Sequence, residues 1–216
     1  MKLLLEAKGI SKTFGGLTAV DTLDYTLEDN SINSIIGPNG AGKTTFFNLV
    51  TGYYKPSTGT ITFNGKSIAG LPSSHLSHIG IARTFQTIRL FNNMSALENV
   101  LIGMHYRLKT GVFGAITRLP RVRQEEKQAQ QEALDLLEYV GLAAYANEYA
   151  KNLPYGYQRR LEIARAMATS PSLLLLDEPT AGMNPNETAE TTAFIRRLRD
   201  ERNLTILLIE HDMKVV

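Results

Sequence analysis

The feature that most constrains this chain is a glycine-rich segment, Gly37–Thr44, which reads Gly-Pro-Asn-Gly-Ala-Gly-Lys-Thr. It fits the phosphate-loop pattern G-x-x-x-x-G-K-[ST] in full. A strand is predicted before it, at Ser31–Ile36, and a helix after it, from about Thr44, which is the context that the pattern requires. The segment therefore predicts a nucleotide-binding α/β protein, and by itself it leaves kinases and GTPases open.

The chemistry of this loop follows from its residue types. Glycines permit a tight nest of backbone N–H groups around phosphate oxygens, and the following helix directs its positive end to the same place. Lys43 is predicted to reach the β- and γ-phosphates, and the Thr44 hydroxyl to bind Mg²⁺. The residues predicted to surround the phosphates are Gly37, Asn39, Gly40, Ala41, Gly42, Lys43, Thr44 and Thr45.

A second marker is a run of four leucines, Leu173–Leu176, followed at once by Asp177 and Glu178. An uninterrupted apolar run suits a central parallel strand that is covered on both faces. In such sheets ligands bind at the carboxyl ends of the strands. We therefore predict that Asp177 holds the Mg²⁺ shell, and that Glu178 orients and deprotonates an attacking water.

Composition excludes several other classes of protein. The 216 residues are 43% apolar and 20% charged, and their net charge of +2 indicates no nucleic-acid-binding tail. The absence of cysteine excludes disulfides and thiolate metal sites. No stretch approaches the roughly 20 apolar residues of a membrane-spanning helix. We expect a soluble chain whose role at a membrane would come through partner proteins.

The order of the predicted elements indicates a mostly parallel core sheet with an inserted helical region. Alternating apolar and polar residues predict strands at Leu3–Lys8 and Val20–Leu27, and the Asn-Gly pair at 64–65 predicts a hairpin turn. Later strands are predicted at Leu173–Leu176 and Thr205–Ile209, with a helix at about 187–202 between them.

The middle of the chain is predicted to be helical. Ser95 could cap its first helix, with Glu98 as the capping-box partner. Arg107–Arg123 is basic, contains Gly and Pro, and is predicted to be an exposed connector. Further helices are predicted at Gln124–Val140, which Gly141 ends, and roughly over 156–169.

In their order along the chain, these motifs resemble those of the ATP-binding cassette (ABC) family over essentially the whole sequence. The matching segments are Gly37–Thr44, Gln86 after Arg-Thr-Phe, Leu153–Ala166 as signature and helix, Asp177-Glu178, Ala181–Asn184 and His211. The resemblance implies an α/β P-loop NTPase cassette. Such a cassette has a RecA-like parallel-sheet core, an antiparallel β-subdomain and an inserted helical subdomain.

The resemblance also implies roles for single residues. Phe14 corresponds to the aromatic that stacks on adenine, and Gln86 to the glutamine that senses the metal and the attacking water. Gly156 lies in the signature segment, which contacts the nucleotide of a second cassette, and His211 corresponds to the switch histidine that steadies the γ-phosphate. The expected ligand is ATP with Mg²⁺. The expected catalytic set is Lys43, Gln86, Glu178 and His211, and the expected metal set is Thr44, Gln86 and Asp177.

The resemblance predicts a single ABC ATPase domain over residues 1–216. The core and β-subdomain are expected at about 1–88 and 166–216, and the helical subdomain with the signature segment at about 89–165. Because the sequence ends at Val216, shortly after His211, we expect it to lack a C-terminal segment of the family.

The chain departs from the family pattern in its signature, where only Leu153 and Gly156 match Leu-Ser-Gly-Gly-Gln, and at Asn184. Pro154 stands where the signature normally has the serine that bonds the γ-phosphate across the dimer, and proline offers neither a hydroxyl nor a backbone N–H. Asn184 replaces the usual aspartate of the loop that follows the acidic pair. We expect the first change to weaken the nucleotide site that uses this chain's signature.

Within the family, the chain most resembles the ATP-binding subunits of branched-chain amino-acid importers. The segments that carry this likeness are Phe14–Leu17, Thr84–Phe91, Lys109–Gly114, Tyr155-Gly156 and Ile209–Lys214. The likeness implies a head-to-tail dimer with a second ABC ATPase subunit, identical or different, two transmembrane permease subunits and, indirectly, a solute-binding protein. No nucleic acid is expected. The expected location is peripheral, on the cytoplasmic face of the inner membrane.

Other functions stay open from the residues alone. The chain could serve an ABC transporter for another solute, or an exporter. A soluble ABC ATPase acting on ribosomes or DNA would commonly have two cassettes in one chain or a long coiled-coil insertion, and this sequence has neither. A regulatory module that holds ATP without turnover is disfavoured by Glu178 and His211.

Overall fold

The structure, a computed structural model, describes residues 2–107 and 120–210. They form two compact units, one of residues 2–86 with 171–210 and one of residues 87–107 with 120–170. Residues 168–170, at the end of the second unit, continue the backbone hydrogen bonding of the preceding helix.

The first unit contains an antiparallel sheet. Its strands, in the order in which they pair, are β2 (Leu17–Glu28), β1 (Leu3–Phe14), β4 (Thr58–Phe63) and β5 (Lys66–Ser67). β1 and β2 extend beyond the predicted bounds because their hairpin pairs as far as Phe14 and Leu17. β4 and β5 are joined by the predicted Asn64-Gly65 turn, whose φ values of +49° and +74° suit a type I′ turn.

A second sheet of the first unit is parallel throughout. Its strands, in order, are β3 (Ile32–Ile35), β8 (Thr205–Ile209), β7 (Leu173–Asp177) and β6 (Ile81–Arg83). Every residue of β7 and β8 is buried, as expected of central parallel strands. Asp177 pairs with Ile209, so the carboxyl ends of both strands reach the same edge of the sheet. This is the edge where α/β proteins bind ligands.

The helices of the described residues are α1 (Lys43–Val50), α2 (Ser73–His78), α3 (Ala96–Met104), α4 (Pro120–Tyr139), α5 (Tyr155–Met167) and α6 (Pro185–Arg202). No pattern in the sequence predicts α2, because serine and histidine are weak helix formers. α4 begins at Pro120, within the predicted connector, and the rest of that connector, 108–119, lies outside the described residues. Proline suits the first turn of a helix, where its missing N–H is not needed.

Helix α1 anchors the phosphate loop to the core. Phe46, Phe47, Leu49 and Val50 are buried in one apolar cluster with residues of β1, β4, β7 and β8. Each large apolar side chain buried in this way contributes about 1.5–3 kcal/mol. The first turn of the helix nevertheless reaches the surface, where Thr44 is exposed. The start of α1 is therefore held rigidly and remains accessible to a ligand.

The predicted capping box at the start of α3 is confirmed. The Ser95 hydroxyl accepts from the Glu98 N–H, and the Glu98 carboxylate accepts from the Ser95 N–H at 2.7 Å. The Ser95 backbone N–H first, and its side chain second, hold the pKa of Glu98 below its usual value. The Glu98 carboxylate therefore makes its full contribution to folding stability above the usual glutamate pKa. That contribution is lost as the pH falls through the lowered pKa of Glu98.

A buried amide fixes the loop that precedes α3. Asn99 has no exposed surface, and its side-chain nitrogen donates to the carbonyls of Phe91, Met94 and Ser95. Its side-chain oxygen accepts from the Phe91 N–H at 2.9 Å. A buried polar group is tolerated when it is bonded in this way. The amide therefore gives this loop of the helical unit one defined conformation.

Within residues 2–107 and 120–210, no helix combines the length and apolar character that crossing a bilayer requires.

Replacing Ser95 by alanine is expected to lower the free energy of unfolding by about 1 kcal/mol, because the Glu98 N–H loses its acceptor. Urea unfolding followed by circular dichroism measures the change. Ser74→Ala, at an exposed position of α2, is the control and should change stability by less than about 0.5 kcal/mol. Equal losses from both changes would argue against a stabilising capping box.

Candidate nucleotide-binding site

The predicted phosphate loop lies between the end of β3 and the start of α1. Gly42 is the N-cap of the helix and has a left-handed conformation, with φ +86°. A side chain here would also place its Cβ 2.3 Å from the Ala19 carbonyl oxygen of β2. Gly42 is thus required both by backbone conformation and by the close approach of β2. Most of the predicted phosphate-binding residues are at least partly exposed: Gly37, Asn39, Gly40, Ala41, Gly42, Thr44 and Thr45.

Lys43 is the buried member of the loop. Its ammonium group donates to the carbonyl oxygens of Gly37 at 2.6 Å and Pro38 at 3.0 Å. α1 has no acidic residue in its first turn, and no side chain among the described residues caps it. The positive charge of Lys43 and the positive end of the helix are therefore concentrated at the same loop. This arrangement favours a bound anion.

A cavity of about 440 Å³ adjoins the loop and has the size of a small-molecule site. Its wall includes Asp21 and Tyr25 of β2, Ser34 of β3 and Lys43. Burial raises the pKa of the Tyr25 phenol, and a hydrogen bond from Asn33 partly opposes that effect. The phenol therefore stays neutral near neutral pH and presents a polar but uncharged group to the cavity.

Phe14 lies at the tip of the β1–β2 hairpin, the same hairpin that contacts the phosphate loop through Ala19. Its side chain is 39% exposed, which argues against a role in core packing. The Tyr54 ring meets it edge-on, with centroids 5.0 Å apart, and the Lys12 ammonium lies 5.0 Å from its centroid. These neighbours orient an exposed aromatic ring, as adenine stacking would require.

Asp177 ends strand β7 and is buried, with a side chain only 5% exposed. Arg83, the last residue of β6, donates to its Oδ2 atom over 2.7 Å and is itself 7% exposed. The sequence analysis assigns Arg83 no role. The sequence nevertheless contained a signal for this pair, because a cation such as Arg83 at the end of an apolar strand requires a buried partner of opposite charge.

Glu178 follows Asp177 with a φ of +48°, an uncommon value for a residue other than glycine. Its N–H donates to the Ile209 carbonyl at the end of β8. Its Oε2 atom accepts from the Gln86 amide nitrogen at 2.9 Å. Because a carboxylate only accepts, the oxygen of the Gln86 amide remains as an acceptor for a cation or a water. The structure thus brings together two of the predicted catalytic residues.

The loop after Glu178 is held by a carboxylate that the sequence analysis also misses. Glu210 is 3% exposed, and its Oε1 atom accepts from the hydroxyl and the N–H of Thr180. Its own N–H donates to the Ile35 carbonyl at the end of β3. Glu210 therefore ties the loop after the acidic pair to the strand that precedes the phosphate loop. His211, the next residue, lies outside the described residues.

Two of the departures from the family pattern, Asn184 and Pro154, lie at helix N-caps. Asn184 caps α6 through a capping box with Glu187, a position where asparagine serves as well as aspartate. Pro154 caps α5, and its carbonyl accepts from the N–H groups of Tyr157 and Gln158, each at 2.9 Å. At Gly156, a Cβ would meet nothing within 4 Å. The first turn of α5 therefore has space for an approaching group.

The signature helix contains a buried ion pair that also bonds the segment after Gln86. Arg159 and Glu162, with side chains 2% and 1% exposed, meet at 2.8 Å. The second oxygen of Glu162 accepts from the Arg89 backbone N–H at 3.3 Å. The segment that follows Gln86 is therefore fastened directly to α5.

The predicted metal ligands suit Mg²⁺ in their chemistry, since Thr44, Gln86 and Asp177 all offer oxygen donors. Within the described residues there is no cluster of three or more His, Cys, Asp or Glu side chains. Mg²⁺ is commonly held by one or two carboxylates together with substrate phosphates and water. This donor set therefore fits Mg²⁺ that arrives with a nucleotide, and it does not form a closed protein cage.

Comparisons with known proteins agree with the predicted family. Residues 20–181 match the protein-family model described as "ABC transporter". LivG of Salmonella typhimurium, a high-affinity branched-chain amino acid transport ATP-binding protein, is 50% identical over 213 residues, 99% of this chain and 84% of LivG. BraF of Pseudomonas aeruginosa, with the same description, is 48% identical over 213 residues, covering 99% of this chain and 84% of BraF.

Solved structures agree as well. The ADP conformation of an ATP-binding cassette of an ABC transporter has a TM-score of 0.86 and 31% identity, covering 100% of this chain and 84% of that one. A dimeric cassette in a post-hydrolysis state with ADP and Pi has a TM-score of 0.81 and 25% identity, covering 98% and 90%. These neighbours confirm the predicted α/β cassette fold with its parallel sheet, separate antiparallel sheet and helical part.

Phe14→Ala is expected to weaken ATP binding by about 1–3 kcal/mol, the usual worth of a base–aromatic stack, whereas Phe14→Tyr should be nearly neutral. Calorimetry with the full chain measures both. Leu17→Ala is the control, since Leu17 pairs with Phe14 across the hairpin and is 69% exposed. Wild-type affinity in Phe14→Ala would show that this ring does not stack on adenine.

Proposed function

The chain belongs to the ABC transporter family of ATP-binding proteins, and from that premise we propose that it hydrolyses ATP to power an importer of branched-chain amino acids. The observation that carries the proposal is the identity, at half of all positions over nearly the whole chain, with LivG of Salmonella typhimurium. The site supports the same activity, because a phosphate loop, a strained glutamate and a glutamine that contacts it all lie in the first unit.

In the proposed reaction, a water oxygen attacks the γ-phosphorus in line with the bond to the β-phosphate oxygen. That bond breaks and ADP leaves, while Glu178 accepts the proton of the water. Gln86 holds the Glu178 carboxylate in place, and His211 contacts the γ-phosphate. Lys43 binds the β- and γ-phosphates and offsets the developing charge. Thr44, Gln86 and Asp177 would hold Mg²⁺, which would supply further neutralisation of the phosphate charge.

The working unit is a head-to-tail dimer in which each nucleotide lies between one chain's phosphate loop and the other chain's signature. The open space at Gly156 supports this role for the start of α5. The other subunits are two transmembrane permeases and, indirectly, a solute-binding protein. The chain is peripheral at the cytoplasmic face of the inner membrane, attached through the permeases.

Glu178→Gln tests the proposed function. In the complex reconstituted into proteoliposomes, it should retain ATP binding and lower both ATP hydrolysis and uptake of labelled leucine by about 10²–10⁴-fold, because the general base is lost. Glu190→Gln, an exposed change of the same kind on α6, is the control and should match the wild type. Unchanged hydrolysis would move the base elsewhere, and hydrolysis without leucine uptake would exclude this substrate.

Pro154 generates a prediction about asymmetry. We expect a partner ATPase subunit that differs from this chain, and a slower site where this chain's signature meets the partner's phosphate loop. A charge-assisted hydrogen bond lost at the γ-phosphate is worth about 1.5–3 kcal/mol. Single-turnover hydrolysis, with the catalytic glutamate replaced by glutamine in one subunit at a time, measures each site separately.

In this experiment, Glu178→Gln should cost more than the same change in the partner. Pro154→Ser, which restores a hydroxyl, should speed the slower site and leave the other unchanged. Equal site rates, or no response to Pro154→Ser, would contradict the asymmetry.

A further inference from the structure

We propose that Arg83 is a positioning residue for the metal site. Its guanidinium fixes the Asp177 carboxylate to helix α1, and so holds the strand side and the helix side of the Mg²⁺ site at a constant distance from each other. The inference rests on the proposed ATP-hydrolysing function and deepens it. It concerns how this chain presents its own oxygen donors to a metal that enters with the nucleotide.

The first contact of the guanidinium is with Asp177. Nη2 of Arg83 donates to Oδ2 of Asp177 at 2.7 Å, and both side chains are more than nine-tenths buried. A buried carboxylate with one strong, short donor cannot rotate freely without breaking that bond. Since Arg83 ends β6 and Asp177 ends β7, the pair also locks the ends of two neighbouring strands together.

The second contact is with α1. Nη1 of Arg83 donates to Oδ1 of Asn48 at 2.6 Å and lies 3.4 Å from the Thr51 hydroxyl. Asn48 is four residues after Thr44, and residues at this spacing share one face of a helix. The face of α1 that bonds Arg83 is therefore the face that carries Thr44. One rigid guanidinium thus connects the helix that carries Thr44 to Asp177, the predicted metal ligand of the strand.

Two aromatic rings hold the guanidinium in this orientation. Its central carbon lies 5.5 Å from the ring centroid of Phe47 on α1 and 5.2 Å from that of Phe85. Phe85 directly precedes Gln86, the third predicted metal ligand. The Nε atom of Arg83 is buried and has no hydrogen-bond partner among the described residues. The two terminal nitrogens therefore carry the hydrogen bonds to the acidic strand end and to α1.

The shape of arginine explains why this residue type is needed. A planar guanidinium presents donors in a rigid fork and stacks on aromatic rings, whereas a lysine ammonium is a point charge on a flexible stem. Lysine at position 83 could pair with Asp177 but would not hold Asn48 at the same time in the same geometry. Groups that orient metal ligands in this way typically change metal affinity by about 10–100-fold when they are removed.

The test measures ATP affinity of the full chain by calorimetry, once with Mg²⁺ and once with EDTA. Arg83→Met should weaken MgATP binding by about tenfold or more and change metal-free ATP binding by less than about twofold. Arg83→Lys should recover only part of the loss. Arg197→Met, an exposed change of the same kind on α6, is the control and should leave both affinities unchanged.

Asn48→Leu provides a second test, because it removes only the hydrogen bond from Arg83 to Asn48 and leaves the ion pair in place. It should weaken MgATP binding selectively, and its effect should largely disappear when it is combined with Arg83→Met. If Arg83→Met does not fold, Arg83→Lys and Asn48→Leu decide the question.

Three results would overturn the inference. Equal losses with and without Mg²⁺ would show a merely structural role. Unchanged or tighter MgATP binding, or full recovery in Arg83→Lys, would show that Arg83 only balances the charge of Asp177. A wild-type chain that binds no ATP would instead overturn the proposed function itself.

Discussion

The site depends on the burial of two adjacent parallel strands, β7 and β8. All ten of their residues are buried, so the polar groups of these strands must be satisfied within the protein. At their carboxyl ends Asp177 pairs with Ile209, so an acidic side chain stands at the buried edge of the sheet. A carboxylate at this point is costly unless a cation meets it. The buried sheet therefore requires a cation beside the Asp177 carboxylate at the end of β7. Arg83 meets this requirement, and an incoming metal could also do so.

The backbone at Glu178 separates the two acidic side chains. In a regular strand, successive side chains point to opposite faces, so Glu178 would enter the layer opposite Asp177. Its left-handed φ of +48° ends the strand instead, at a cost of about 1–3 kcal/mol for such a conformation. The Glu178 N–H is retained by the Ile209 carbonyl, and its carboxylate by Gln86. Asp177 thus stays buried with Arg83, while Glu178 becomes half-buried and accessible to a water.

What the sequence predicts well is local. The Asn-Gly turn at 64–65, the capping box at Ser95 and the leucine strand depend on residues within a few positions of each other, and their bounds fall close to those observed. Sequence-based prediction becomes less accurate where two partners are far apart along the chain. Arg83 and Asp177 are 94 residues apart, so no local pattern could pair them. Helix α2 illustrates another limit, because its weak helix formers depend on the burial of Leu76.

The covalent chain adds a last constraint on how the site can work. Gln86 bonds Glu178 in the first unit, and Arg89, three residues later, bonds Glu162 of α5 in the second unit. An extended chain spans at most about 3.3–3.6 Å per residue, so the tether between these bonds has little slack. A displacement of Gln86 would therefore be passed on to residues 87–89, or the bond to Glu162 would break. Since Glu162 is buried beside Arg159, breaking it would leave a buried charge with one partner fewer. The less costly response is for the segment and α5 to move together, and α5 begins at the residues that meet the second cassette's nucleotide in the proposed dimer.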